Sequence, residues 1–280
     1  MSRIKIGKIA YSNVLPVFYF FRDTMFEGRA TFTEKVPAVL NRQLAAGEID
    51  LGPVSSFAYA ENEAEYQVLA DLSVSALGPV GSIFLFTKEP IEQLKEPRIA
   101  LTNTSATSVN LLKVILEKFQ GCMPHYQTMM PDLASMMDSH DAALLIGDDA
   151  LLAKWSNPGY YVYDLGEMWY KHTGMWMTFA LWTVRKDTVV SDPGLLGEIH
   201  REFLRSKKQG LEQLDHIINH AQSVFRGTSE FWREYFSGLC YDFQSEQKRG
   251  LEYYFHCASE LGLLSRPVEV NTWGASAKIT

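Results

Sequence analysis

Small, mostly neutral polar residues gather at five points, four where an apolar run gives way to a helical pattern and one, Ser82, at the start of an apolar strand. They are Ser12 and Asn13 in "IAYSNVLP", Ser55 and Ser56 in "LGPVSSF", and Ser82 in "GPVGSIFLF". The longest group is Asn103, Thr104, Ser105, Thr107 and Ser108 in "ALTNTSATSVNLL", and the last is Gly147 with Asp148 in "LLIGDDALL". Hydroxyls and amides of this kind do not attack carbonyls or bind metals unaided. They hold and orient. Where a helix begins, unpaired backbone N–H groups and about half a positive charge add to them, which suits a carboxylate or phosphate. The competing use is N-capping, in which one hydroxyl accepts from the helix and the others face water. For "TNTSATS" alone capping is the commoner use. Recurrence at several strand ends shifts the balance toward a polar cleft for an anionic ligand.

Other constellations read more plainly. Asp148 and Asp149 could form an acid/base pair, but an N-cap with a first-turn carboxylate is the simpler reading. A carboxylate at the mouth of an anion site would also repel its ligand unless protonated or turned away. His216 and His220 stand four apart in "HIINH", which is metal-ligand spacing, yet no glutamate or third ligand accompanies them. An exposed or half-buried helix face accounts for them. The aromatic run "VFYFF" reads as core, with a ring covering a ligand as the alternative. "GEMWYKHTGMW" reads as core and loop packing, with a lid as the alternative. No phosphate-binding loop, dinucleotide fingerprint or nucleophile elbow is present. The three cysteines, Cys122, Cys240 and Cys257, are far apart and read as idle thiols in a reducing compartment.

The elements that position these residues follow from periodicity. "RIKIGKIAY" alternates as a strand, and a helix is expected from about Pro16 to Met25. "ATFTEKV", "IDLGPV", "YQVLADLSVSA" and "VGSIFLFTK" read as strands, with "PAVLNRQLAAGE" and "SSFAYAENEAEY" as helices between them. From Arg98 the alternation restarts with "RIALTN", "HYQTMM", "DAALLIG" and "YYVYDL", and "MTFALWTVRK" closes it. Beyond Asp192 the pattern is almost wholly helical. Strands alternating with helices predict mainly parallel sheets covered on both faces. The restart predicts a second sheet, and "GSIFLFTK" and "MTFALWTVRK" look like two crossings between domains. We therefore expect residues 1–87 with 181–280 to form one domain and 88–180 a second, inserted one. Ligands of open α/β sheets lie beyond the carboxyl ends of the strands, so two such sheets make a cleft.

The length of 280 residues suits two such domains. A net charge of −7, from 26 basic and 33 acidic residues, argues against nucleic acid as a partner. No apolar stretch approaches a membrane span. The N-terminal residues do not make a good signal peptide, so a cytoplasmic protein is expected.

Together "KIGKIAYSNVLP", "LAAGEIDLGPVSS", "GPVGSIFLFTKEP", "RIALTNTSATSVNLL" and "AALLIGDDALL" resemble the chorismate dehydratases of the futalosine route to menaquinone. Order and spacing fit across roughly residues 3–185, and the helical tail fits loosely. The resemblance implies an α/β, two-domain periplasmic-binding-protein-like (type II) fold with two interdomain crossings. It implies a lyase that removes water from chorismate to give 3-enolpyruvylbenzoate, with no cofactor and no metal. It makes Asn13 and Ser82 the residues that matter for turnover, and Ser55, Ser56, Thr107 and Ser108 the carboxylate holders. Ser12, Asn103, Thr104, Ser105, Gly147 and Asp148 are expected beside them in the substrate site. It also implies that the enolpyruvyl carboxylate of the substrate takes the proton. A sister family, the lyase that makes a dihydroxynaphthoate, carries a His near the position of Gly147, and "AALLIGDDA" has none. The other alternative is a solute-binding protein for a small carboxylate.

Overall fold

The structure, a computed structural model, describes residues 3–274. The chain opens with β1 (Ile4–Ile9), a short α1 (Leu15–Phe18), β2 (Ala30–Lys35), α2 (Pro37–Ala45), β3 (Leu51–Ser55), α3 (Ser56–Glu61) and β4 (Tyr66–Ala76). It then builds β5 (Ile83–Thr87), β6 (Arg98–Thr102), α4 (Ala106–Lys113), β7 (His125–Met129), α5 (Leu133–Ser139), β8 (Ala142–Ile146), α6 (Gly147–Trp155), β9 (Tyr161–Asp164) and α7 (Leu165–Thr173). β10 (Met177–Arg185) leads to the helices α8 (Lys186–Ser191), α9 (Pro193–Glu212), α10 (Leu214–Val224), α11 (Ser229–Gly238) and α12 (Ser245–Glu260), and β11 (Thr272–Trp273) ends the order.

These strands form two sheets, one ordered β11-β4-β10-β3-β1-β2 and the other β7-β6-β8-β5-β9. We call each sheet with its helices a lobe. β1 is parallel to β2 and β3, and β6 is parallel to β7 and β8. β5 and β10 run antiparallel to their neighbours in both directions, so each sheet is mixed rather than purely parallel. The crossings cause this: a strand arriving from the other lobe enters from the opposite end.

Pairing places the crossings slightly before the expected boundaries. β5 bonds only to β8 and β9, so residues 83–87 belong to the second sheet rather than the first. β10 pairs with β3 and β4 from Met177 onward, so residues 177–180 belong to the first. The chain changes lobe in the loops on the N-terminal side of these two strands. The helix expected from Pro16 to Met25 is also shorter. It stops at Phe18, and a 3-10 turn covers Asp23–Phe26. Arg22 donates its backbone N–H to Glu202 instead of continuing the helix, while Phe18 and Phe21 pack their rings on Phe203.

Burial explains the central strands. β3, β5 and β8 are buried at every residue, as continuous apolar runs covered on two faces must be. β2 lies at the edge and is largely exposed, with Glu34 and Lys35 discouraging further pairing. α9 wedges Leu196, Ile199 and Phe203 into the first core, where Trp182 stacks on Phe18.

Candidate active site

The sheets turn their strand ends toward each other across a cavity of about 40 Å³. Its polar lining is Tyr11, Asn13, Ser55, Ser82, Ser105 and Ser108. Val80, Ile146 and Phe179 supply apolar walls. One water occupies about 30 Å³ of liquid and drug-sized ligands need several hundred. The cleft is therefore shut, and the lobes must part before any ring-sized ligand can enter.

Each lining residue is set by its element. Asn13 lies in the 3-10 turn Ser12–Val14 immediately after β1. Its Oδ1 is buried without a hydrogen-bond partner. Ser55 ends β3, and its backbone N–H donates to Asn41 Oδ1 at 3.0 Å. Ser105 caps α4, accepting from the Ser108 N–H at 3.2 Å, and the two hydroxyls are also 3.2 Å apart. The capping use of "TNTSATS" is thus real, and the capping pair faces the cavity at the same time.

Ser82 immediately precedes β5, the first crossing strand, and its loop is pinned by a residue that the sequence reading does not single out. Asp164 Oδ1 accepts from the N–H groups of Val80, Gly166 and Glu167, and its Oδ2 accepts from that of Gly81. One carboxylate therefore caps α7 and fixes the crossing loop. Gly166 lets the loop lie this close, since a Cβ there would stand 2.5 Å from the Gly78 carbonyl oxygen. An Asp before a helix in "YVYDLGE" was a legible cap signal; its hold on a loop 84 residues earlier was not.

Other predicted residues join the lobes rather than line the cavity. Thr107 Oγ1 accepts from the Phe57 N–H at 3.1 Å and lies 3.2 Å from Ser56 Oγ. Ser56 Oγ also donates to the Thr178 carbonyl at 2.8 Å. Ser56 and Thr107 are thus engaged with each other across the gap. Thr104 is buried against Thr102, with hydroxyls 2.7 Å apart, and its carbonyl accepts from the Ala38 N–H of the other lobe at 3.1 Å. Asn103 is exposed and its amide donates to the sulfur of Met130.

The two ends of the first turn and α6 also meet. Ser12 Oγ donates to Asp148 Oδ1 at 2.5 Å, and the Ser12 N–H donates to Asp148 Oδ2 at 3.1 Å. Burial raises the Asp148 carboxyl to about 6, against the pull of these Ser12 bonds and with a smaller push from Asp149. Tyr11 is raised to about 12, chiefly by burial. Gly147 donates its N–H to the Ser82 carbonyl at 2.7 Å and has φ +60°, where only glycine is comfortable. A Cβ there would stand 2.8 Å from the Tyr11 ring. Tyr235 on α11 was missed altogether: it is buried, and its hydroxyl donates to Ser82 Oγ at 2.9 Å.

His216 is exposed on α10 with its ring near Phe20, and His220 is half-buried against Tyr19. Among the described residues no group of three His, Cys, Asp or Glu side chains could hold a metal ion, and no helix is long and apolar enough to cross a membrane.

Comparison with known proteins gives the chain its family and its fold. A family model described as "Menaquinone biosynthesis" matches residues 4–260. The chain belongs to that family. Among its relatives, a chorismate dehydratase of Thermus thermophilus is 34% identical over 227 residues, covering 76% of this chain and 79% of the relative. A 1,4-dihydroxy-6-naphtoate synthase of the same organism is 27% identical over 192 residues, covering 66% of each. The periplasmic aliphatic sulphonate-binding protein of Escherichia coli superposes with a TM-score of 0.66 at 15% identity, covering 96% of each chain. The family member described here therefore has the periplasmic-binding-protein-like fold.

Proposed function

We propose that the protein is a chorismate dehydratase, a carbon–oxygen lyase that removes water from chorismate to give 3-enolpyruvylbenzoate. The observation that carries this reading is the buried Oδ1 of Asn13, without a partner, in a cavity whose other polar groups are hydroxyls. A buried amide oxygen left unpaired costs about 1–3 kcal/mol, which a ligand hydroxyl can relieve. The relative named chorismate dehydratase supports the choice of substrate.

The chemistry asks little of such a site. Breaking the C3–H and C4–O bonds of chorismate makes the ring aromatic, so the driving force lies in the substrate. The protein holds two carboxylates and orients the leaving hydroxyl. Ser55, Ser105 and Ser108, with the α4 N-terminus behind the last two, suit a carboxylate. Asn13 and Ser82 face the same space and suit the departing hydroxyl. No lining side chain is a His, Lys or Glu, which leaves the enolpyruvyl carboxylate as the proton acceptor. Gly147 speaks against the naphthoate-forming reading, because any side chain there meets the Tyr11 ring.

Incubating purified protein with chorismate tests this directly. An aromatic product lighter by one water is expected by absorbance and mass. Binding without turnover would favour a solute-binding protein instead. Asn13→Ala should lower kcat; an unchanged kcat would remove Asn13 from its role.

A further inference from the structure

Ser82 touches the cavity on one side and a chain of buried hydroxyls on the other. The Tyr235 hydroxyl bonds Ser82 Oγ at 2.9 Å and also faces the Ser12 hydroxyl. Ser12 in turn bonds Asp148 at 2.5 Å. Asp148 lies between this chain and a separate cavity of about 200 Å³, lined also by Trp155, Phe225, Arg226 and Trp232. Asp148 thus stands at the junction of the reaction cleft and a second space outside it.

Resting on the dehydratase reading, we propose that Asp148, Ser12, Tyr235 and Ser82 form a proton relay that protonates the leaving hydroxyl and is recharged through the outer cavity. A hydroxyl rotates to suit its neighbours, so the chain has two orientations. With Asp148 protonated, each member donates toward the cavity: Asp148 to Ser12, Ser12 to Tyr235, Tyr235 to Ser82, and Ser82 to the substrate. With Asp148 ionised, Ser12 donates to it and the chain points the other way. The balance is complete. The Ser82 O–H bond breaks as the new O–H bond of water forms, and the C4–O electron pair leaves with the oxygen. Ser82 is restored by Tyr235, Tyr235 by Ser12, and Ser12 by Asp148, which becomes a carboxylate. The proton taken from C3 departs with the substrate carboxyl and is lost to solvent. Solvent returns one to Asp148. No proton is gained or lost overall.

The groups facing Asp148 fit this task. Burial and Asp149 beside it disfavour the carboxylate, whereas the Ser12 bonds favour it. The hydroxyls of Tyr11 and Tyr235 also lie near it, both kept protonated chiefly by burial. Arg226 lies across the outer cavity, exposed to water. Burial leaves the Asp148 carboxyl at about 6, within reach of both protonation states near neutrality.

The test compares kcat against pH for the natural protein, Tyr235→Phe, Ser12→Ala and Asp148→Asn. The natural protein should lose kcat as pH rises above about 6, where Asp148 gives up its proton. Each variant should lower kcat by about 100-fold, with KM little changed and the pH dependence flattened. A merely structural role would lower kcat without flattening the profile. If Tyr235→Phe does not fold, Ser12→Ala carries the same test. Variants that keep the natural profile would overturn the relay and leave the dehydratase reading intact. Failure of the natural protein to act on chorismate would instead overturn that reading. Infrared titration of the Asp148 carboxyl band, identified by its loss in Asp148→Asn, then decides the relay. Its midpoint must shift in Tyr235→Phe, and an unmoved midpoint would overturn it.

Discussion

Replacing Gly147 by Ala should separate folding from closure. The substitution meets two penalties in different states. An alanine at φ +60° costs about 1–2 kcal/mol in any folded form, because Cβ crowds the carbonyl oxygen. Stiffening of the unfolded chain returns about 0.4–1 kcal/mol of this. The net loss of about 1 kcal/mol should lower Tm by about 2–4 °C in a protein of this size. The second penalty arises only when the cleft is shut. The new Cβ would lie 2.8–2.9 Å from three carbons of the Tyr11 ring, which belongs to the other lobe. Overpacking of this kind costs about 1–3 kcal/mol. Charged against the closing equilibrium, that is a loss of about 5- to 150-fold in kcat/KM. Thermal denaturation and steady-state kinetics on chorismate measure the two terms separately. Shrinking the ring with Tyr11→Leu should restore part of the closure in the double variant, a coupling read by a double-mutant cycle. Natural kcat/KM in Gly147→Ala, or no coupling to Tyr11, would refute the reasoning.

Thr107→Val should raise KM about tenfold, since the Phe57 N–H loses its acceptor only in the shut form; Thr107→Ser should keep the natural KM. Asp164→Asn replaces one accepting oxygen by a donor, so part of the Val80–Gly81 loop comes free. A lower kcat measured at saturating substrate, with a Tm loss matching about 1–3 kcal/mol, is the expected outcome. Asp148 also predicts a pH dependence of stability. Its carboxyl binds a proton more tightly when folded, about 6 against 3.8, so its contribution falls as pH rises between those values and is flat above. The difference in unfolding free energy between the natural protein and Asp148→Asn should change by roughly 3 kcal/mol across that window. Glu202, held at about 2 by Arg205 and Arg22 against the opposing effect of burial, has the opposite slope below the ordinary glutamate range and cancels in that comparison.

Much of the scaffold was legible because it is dictated locally. "AALLI" and "IFLFT" can be buried strands only in a sheet covered on both faces, and Ser105 announces α4 as its cap. Strand ends were therefore placed well enough to bring Asn13, Ser55, Ser82, Ser105 and Ser108 to one cavity. What stayed hidden depends on distance along the chain. Nothing near Tyr235 in "WREYF" tells that its hydroxyl meets a serine 153 residues earlier. Thr107 is read as a ligand holder from its place in the first turn of α4; its contact in the shut form, the start of α3, stayed hidden because it lies 50 residues away in the other lobe. The crossings were placed late because an apolar strand reads alike whichever sheet it joins.

Trp155, at the end of α6 in the second lobe, sets its ring edge-on against Trp232 of α11, with centroids 6.4 Å apart. The pair straddles the seam, so separation of the lobes changes the surroundings of both indoles at once. Capture and release of a ligand then carry their own optical signal in the natural chain, and gating can be timed by stopped-flow emission without a dye.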